Sequence, residues 1–226
     1  MPSADPAVLA FDCSTAACSA AVLAAGAIRA ARFQALARGQ AEVLMPMIAE
    51  VMAEAGLGWP QLGLIGVVVG PGTFTGLRIA LAAARGMAFA AGLPVAGVTS
   101  CAAVAHGVPE AERRGHTLLV AVDGKREDLF VQPFAADLTP LAPPRALMAA
   151  EAARLAEGPV LIAGDAGPRL AEALPGARLS AAPPLPDARI VAALALAQWR
   201  AGTALPPEPL YLRPPDVTLP PGAPAA

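Results

Sequence analysis

Apolar residues open the chain in two short runs separated by a polar turn. Val8 to Gly26, VLAFDCSTAACSAAVLAAG, reads as two strands joined by that turn, with Gly26 ending the second; Ala27 to Phe33 reads as a third, completing a meander. From Gln40 to Ala55 the apolar positions recur at helical spacing. Leu64 to Gly70, LIGVVVG, is short and rich in β-branched residues, the pattern of a buried strand. A helix of strong formers follows from Leu77 to Ala91, stopped by Gly92 with Pro94 two residues on, and Leu93 to Val98 is another short buried strand. Strands leading into helices and back to strands predict an α/β layer architecture.

The second half repeats part of this order. Thr117 to Phe134 reads as strand, tight turn, strand, with Asp123-Gly124 as the turn signal. Asp12 and Asp123 both follow an apolar strand, which suggests two related subdomains. Between Ala135 and Pro186 the chain is rich in proline and alanine, with one short strand expected from Pro159 to Asp165. Asp187 to Ala201 reads as a last helix, N-capped by Asp187 and ended by Gly202. Residues 203–226 hold too much proline for a helix or central strand and are expected to be extended or disordered.

A hydrophobic fraction of 56% and mean hydropathy of +0.55 raise the question of a membrane span. Much of both figures is alanine. Gly86 to Pro109 runs 24 residues without Asp, Glu, Lys or Arg, but Gly92, Pro94, Gly97, Thr99, Ser100 and His106 interrupt it, so no span is expected. The first residues lack a basic region ahead of their apolar stretch, so a signal peptide is not expected and the cytoplasm is the expected location. A net charge of −2 gives no basic footprint for strong nucleic-acid binding by this chain alone. Cys13, Cys18 and Cys101 lack zinc-type spacing and are most simply read as buried thiols.

The glycine-rich stretch Val67 to Ala80, VVVGPGTFTGLRIA, lies between a strand and a helix, where backbone amides and the helix dipole favour an anion. No Lys follows Gly76, and the spacing fits neither the Walker A pattern nor G-x-G-x-x-G. Gly70, Gly72 and Gly76, with Thr73 and Thr75, therefore stand as a turn that could also hold an anion. In the turn-only reading Thr75 caps the helix and Gly76 lets it approach the sheet. Asp12 and Asp123 could share a hydrated cation or could simply close their own turns. Ser14 and Thr15 add hydroxyls beside Asp12, which is thin equipment for phosphoryl transfer. His106 and His116 lie ten residues apart in an expected solvated loop, too far for a helical metal pair, and no metal site is expected.

The helices carry the stronger signal. Glu42, Glu50 and Glu54 confine the charge of the first helix to one arc, leaving Val43, Leu44, Met45, Met47, Ile48, Val51 and Met52. On the second, Arg78 and Arg85 share a face, and Ile79, Ala83 and Met87 belong to an otherwise apolar surface. Either the sheet and the last helix cover everything, or a partner chain does. On the second alternative Leu44, Met47, Ile48, Val51, Ile79, Ala83 and Met87 form the interface, and Ala83→Glu or Met47→Asp breaks association without unfolding the chain.

Together, LAFDCSTAACSAAVL, LMPMIAEVMAEAGL, IGVVVGPGTFTGLRIALAAARGMA, LPVAGVTS, LLVAVDGKREDLFVQPF and PLYLRPP resemble the TsaB (YeaZ) family. The resemblance implies the actin-like, Hsp70-like ATPase fold of two related α/β subdomains. Residues 1–100, completed by a helix at about 187–202, would form the first and 101–186 the second. It implies a non-catalytic partner of the catalytic subunit TsaD, acting with the small ATPase TsaE to place a threonylcarbamoyl group on tRNA adenosine beside the anticodon. Homodimers would form in TsaD's absence, and tRNA would be met only through the complex. No cofactor is required on this reading, although ATP or ADP stays open as a ligand of the Asp12–Gly72–Asp123 cleft. The competing reading is a small ATPase or kinase. One departure stands out: the family often has a His at the start of the first helix, where this chain has Gln40-Ala41-Glu42.

Overall fold

In the structure, a computed structural model that describes residues 5–213, β1 (Ala7–Asp12) is buried along nearly its whole length, as its unbroken apolar run requires. It pairs antiparallel with β2 (Ala17–Ala24), which pairs antiparallel with β3 (Ala27–Ala35). Helix α1 (Gln40–Ala55) then leads to β4 (Leu62–Gly70), parallel to β1. Helix α2 (Phe74–Ala91) leads to β5 (Val95–Thr99), parallel to β4. The first sheet has the order β3-β2-β1-β4-β5.

After α3 (Ser100–Gly107) and a short α4 (Glu110–Arg113), the same arrangement recurs. β6 (Thr117–Asp123), β7 (Leu129–Phe134), β8 (Arg145–Leu147), α5 (Ala149–Ala152), β9 (Val160–Ala163), α6 (Gly167–Glu172) and β10 (Arg178–Leu179) build a sheet of order β10-β9-β6-β7-β8. Its antiparallel and parallel pairings match those of the first sheet strand for strand. The expected α/β fold of two related subdomains is therefore present, and Asp12 and Asp123 end equivalent strands.

The helix after each sheet packs on the other half. Cys101, Val104 and Ala105 of α3 join the core of β6 and β7, while α7 (Ala188–Ala201) lays Val191, Ala192 and Ala195 against Val8, Ala10 and Leu64. Gly66 makes this close approach possible, because a Cβ there would press on that of Ala195. Asp187 caps α7 by accepting the Arg189 amide, and Gly202 ends it in the left-handed region, as expected. Beyond it, Leu205 bridges Gly97 at the first sheet's edge and the Leu210 amide donates to the Val69 carbonyl at 2.7 Å. Arg213 reaches the second half, pairing with Asp128 at 2.6 Å and lying over the Phe130 ring. This part of the proline-rich segment is an ordered strap between the halves; residues 214–226 lie outside the described residues.

Several local expectations are corrected. The β6–β7 connection is five residues, Gly124 to Asp128, because Lys125 takes positive φ and Asp128 turns to meet Arg213. Ala135 to Pro186 holds six elements, a 3-10 turn at Ala153–Leu155 among them, where one strand was expected; they are two to six residues long, too short for periodicity to build up. His106 is exposed but sits on α3, its Nδ1 at 2.9 Å from the Ala102 carbonyl. By length and composition α2 could cross a membrane, yet Leu77, Ala80, Leu81, Ala84 and Ala88 are buried within this chain and Arg78 and Arg85 lie on its other side.

Candidate functional site

The turn Cys13 to Ala16 and the loop Pro71 to Thr73 meet at the ends of β1 and β4. Asp12 is fully buried, and its Oδ1 accepts the Ser14 amide at 2.8 Å. Asp12 Oδ2, Ser14 Oγ and Thr15 Oγ1 are enclosed with no hydrogen-bond partner among the described residues. Burial pushes the Asp12 carboxyl up to about 6, offset only in part by the neighbouring Ser14 side chain and the Ser14 and Cys13 amides.

The loop side is closed by protein oxygens. The Thr73 amide donates to the Ser14 carbonyl at 2.7 Å, the Gly76 amide to Thr73 Oγ1 at 3.3 Å, and the Leu77 amide to the Thr73 carbonyl at 3.0 Å. A Cβ at Gly72 or Gly76 would run into the Ser14 or Cys13 carbonyl. The positive end of α2 thus faces carbonyl oxygens of the hairpin turn, with the Thr73 amide taken up by Ser14 and the Gly76 amide by the Thr73 hydroxyl. Thr73 is the N-cap, correcting the expectation of Thr75, which is exposed. Gly76 does allow a close approach, although the neighbour is the β1–β2 turn. Gly70 lies beneath the strap, against Leu210. Gln40, standing where the family often has His, donates from Nε2 to the Thr15 carbonyl at 3.3 Å and so ties α1 to the same turn.

Asp123 has different company. Its carboxylate accepts the Lys125 amide and ammonium, both at 2.8 Å, and lies 3.4 Å from the Arg169 guanidinium. Its own amide donates to Asp165 Oδ1 at 2.9 Å. Partial burial alone would raise its pKa, but the Lys125 and Arg169 contacts outweigh this and hold it below the usual carboxylate range. Asp165 is pushed up, chiefly by burial. Among the described residues no group of three or more His, Cys, Asp or Glu is placed to hold a metal ion.

The predicted interface residues divide into two sets. Leu44, Met47, Ile48 and Val51 are buried in the first-half core, so their assignment to a partner surface is corrected: the sheet needs that side of α1. Ile79, Ala83 and Met87 are half-buried along the flank of α2. The surface left open is Met45 and Ala49 on α1, and Ala82, Gly86, Phe89 and Ala90 on α2. Phe89 is 93% exposed. Sequence pattern located the apolar arcs but not which side of each meets the sheet. Beside Ala90, an open groove of 510 Å³ is lined by Trp59, Pro60, Met87, Ala90 and Ala91, away from the Asp12 turn and continuous with the apolar face. On the opposite flank Arg78 stacks on Phe74 and donates to the Tyr211 hydroxyl, while Arg85 donates to the Pro207 carbonyl.

Known proteins bear on this geometry. A family model described as "TsaD: tRNA N6-adenosine threonylcarbamoyltransferase" matches residues 34–162. The tRNA threonylcarbamoyladenosine biosynthesis protein TsaB of Haemophilus influenzae is 35% identical over 124 residues, 54% of this chain and 51% of that one. The chain thus spans about half the length of the named TsaB relatives it matches. An uncharacterized protein of Mycobacterium tuberculosis is 34% identical over 212 residues, 92% of each chain. The solved structure of YeaZ from Pseudomonas aeruginosa superposes with a TM-score of 0.78 at 27% identity, covering 92% of this chain and all of that one. Matched across more than half its length by the family model and by TsaB and YeaZ relatives in sequence and fold, the chain belongs to the TsaD-type family, on its TsaB (YeaZ) branch.

Proposed function

We propose that this chain is a non-catalytic partner subunit that docks the outer face of α1 and α2 on a TsaD-type catalytic subunit and supports formation of threonylcarbamoyladenosine in tRNA. The observation that carries the reading is the exposed apolar face of α2, centred on Phe89 and bordered by Ala82, Gly86 and Ala90. Small residues there let a partner helix approach closely.

The non-catalytic part is supported by what surrounds the two aspartates an ATPase would need. Asp12 is sealed beneath its turn, and Asp123 is held by Lys125 and Arg169. The names of the relatives support the pathway. On this reading the chain works in the cytoplasm, self-associates through the same face when the catalytic subunit is absent, and meets tRNA and a TsaE-type ATPase only in the complex. Nucleotide is not required for docking. Reconstitution with a TsaD-type subunit, a TsaE-type ATPase, tRNA and the threonylcarbamoyl adenylate tests it. Modified adenosine should accumulate only when this chain is added, and equal yield without it contradicts the proposal.

A further inference from the structure

Cys13 and Cys18 flank the turn that carries Ser14 and Thr15. In the β1–β2 register Asp12 lies opposite Ser19, so the next pair across the hairpin is Cys13 and Cys18. Their sulfurs are 3.4 Å apart and both side chains are buried. Facing residues of an antiparallel pair hold their Cβ atoms about 4.5–5.5 Å apart, near the roughly 3.5–4.5 Å a disulfide needs. Cys101 belongs to the other half's core and is no competitor.

We propose that Cys13 and Cys18 are an oxidisable dithiol that hydrogen peroxide closes to an intrachain disulfide. The contact between the sulfurs, in which either thiol can donate, lowers the pKa of Cys18 and raises that of Cys13, so the pair can present one thiolate. That Cys18 sulfur attacks a peroxide oxygen; an S–O bond forms, the O–O bond breaks, and the departing oxygen leaves as water with the thiol's proton. Cys13 then attacks the sulfenic sulfur, forming S–S, breaking S–O and releasing a second water. Two thiols and one peroxide become one disulfide and two waters. Because Gly72 and Gly76 rest against the Ser14 and Cys13 carbonyls, the link fixes the turn beneath the start of α2.

The test uses the whole folded chain, treated with hydrogen peroxide, denatured without reductant and alkylated with iodoacetamide. The expected product carries one alkyl group, on Cys101. Its tryptic peptide ending at Arg29 is lighter by two hydrogens than the same peptide in reduced form, and dithiothreitol restores three alkylation sites. Three alkylated cysteines after treatment, sulfinic acid on Cys18 without a link, or links only through Cys101 or between chains would each overturn the proposal.

Discussion

The two halves share one sheet topology and cover it differently. In the first, the helices after β3 and β4 run 16 and 18 residues; in the second, the helices in the same places run 4 and 6. The short pair still leaves Leu119, Ala121, Val131 and Ile162 buried in a core with Ala152 and Leu170. Covering such a sheet does not require long helices, so the added length in the first half serves its outer side, where Phe89, Ala82 and Gly86 face outward. The equivalent aspartates differ in the same spirit: Asp12 is buried with an unpartnered oxygen, whereas Asp123 is half open and held by two cations. The two halves share a scaffold and differ at the ends of its equivalent strands.

The sharpest way to break this comparison is to charge the two sides of the first-half helices. Met47→Asp buries a carboxylate in the core and should cost on the order of 4 kcal/mol. Ala82→Glu, on the open side of α2, should change stability by no more than about 0.5 kcal/mol. Urea unfolding measures both, and equal losses would erase the division into inner and outer faces.

A smaller effect sharpens the contrast at the helix starts. Gly76→Ala sets a methyl against the Cys13 carbonyl and should cost about 3 kcal/mol, since backbone must move. Gly167→Ala, at the start of α6, meets only side-chain carbons of Ile162 and Leu179 at 3.3 Å and should cost about 1 kcal/mol or less. Similar losses in thermal or urea unfolding would mean the two helix starts are equally tight.

The smallest effect is a difference in pH dependence. With a carboxyl raised from 3.8 to about 6, Asp12 binds its proton more tightly in the folded chain, so its contribution to stability is full at acid pH and is lost as pH rises through about 6. Asp12→Asn should therefore stabilise the chain by about 3 kcal/mol at pH 8 and by much less at pH 4. Asp123, held low, has the opposite sign: its contribution is present at neutral pH and fades as pH falls through its folded value. Unfolding free energies at several pH values for Asp12→Asn and Asp123→Asn separate the two.

Much of the first half was legible because its apolar runs are long and end in clear signals, such as Gly92 after α2 and Gly202 after α7. Helix α3 was not, since Ser100 follows β5 without a break and its small residues carry little periodicity. The interface was half legible. Helical spacing shows that α1 has a wide apolar arc, but only tertiary placement puts Leu44 against the sheet and leaves neighbouring Met45 open. The cap was misassigned between Thr73 and Thr75 because either hydroxyl suits the loop, and the turn pressing on Gly76 selects the start. The pairing of Cys13 with Cys18 is invisible as a spacing of five and becomes plain once the hairpin register is known.

The most direct test of the partner face is co-elution of this chain with a TsaD-type catalytic subunit on size exclusion, comparing the unaltered chain with an Ala82→Glu, Phe89→Asp double variant. The account predicts a complex for the former and separate peaks for the latter, with the variant's circular dichroism and urea midpoint unchanged. A complex that forms equally well with the double variant would contradict it.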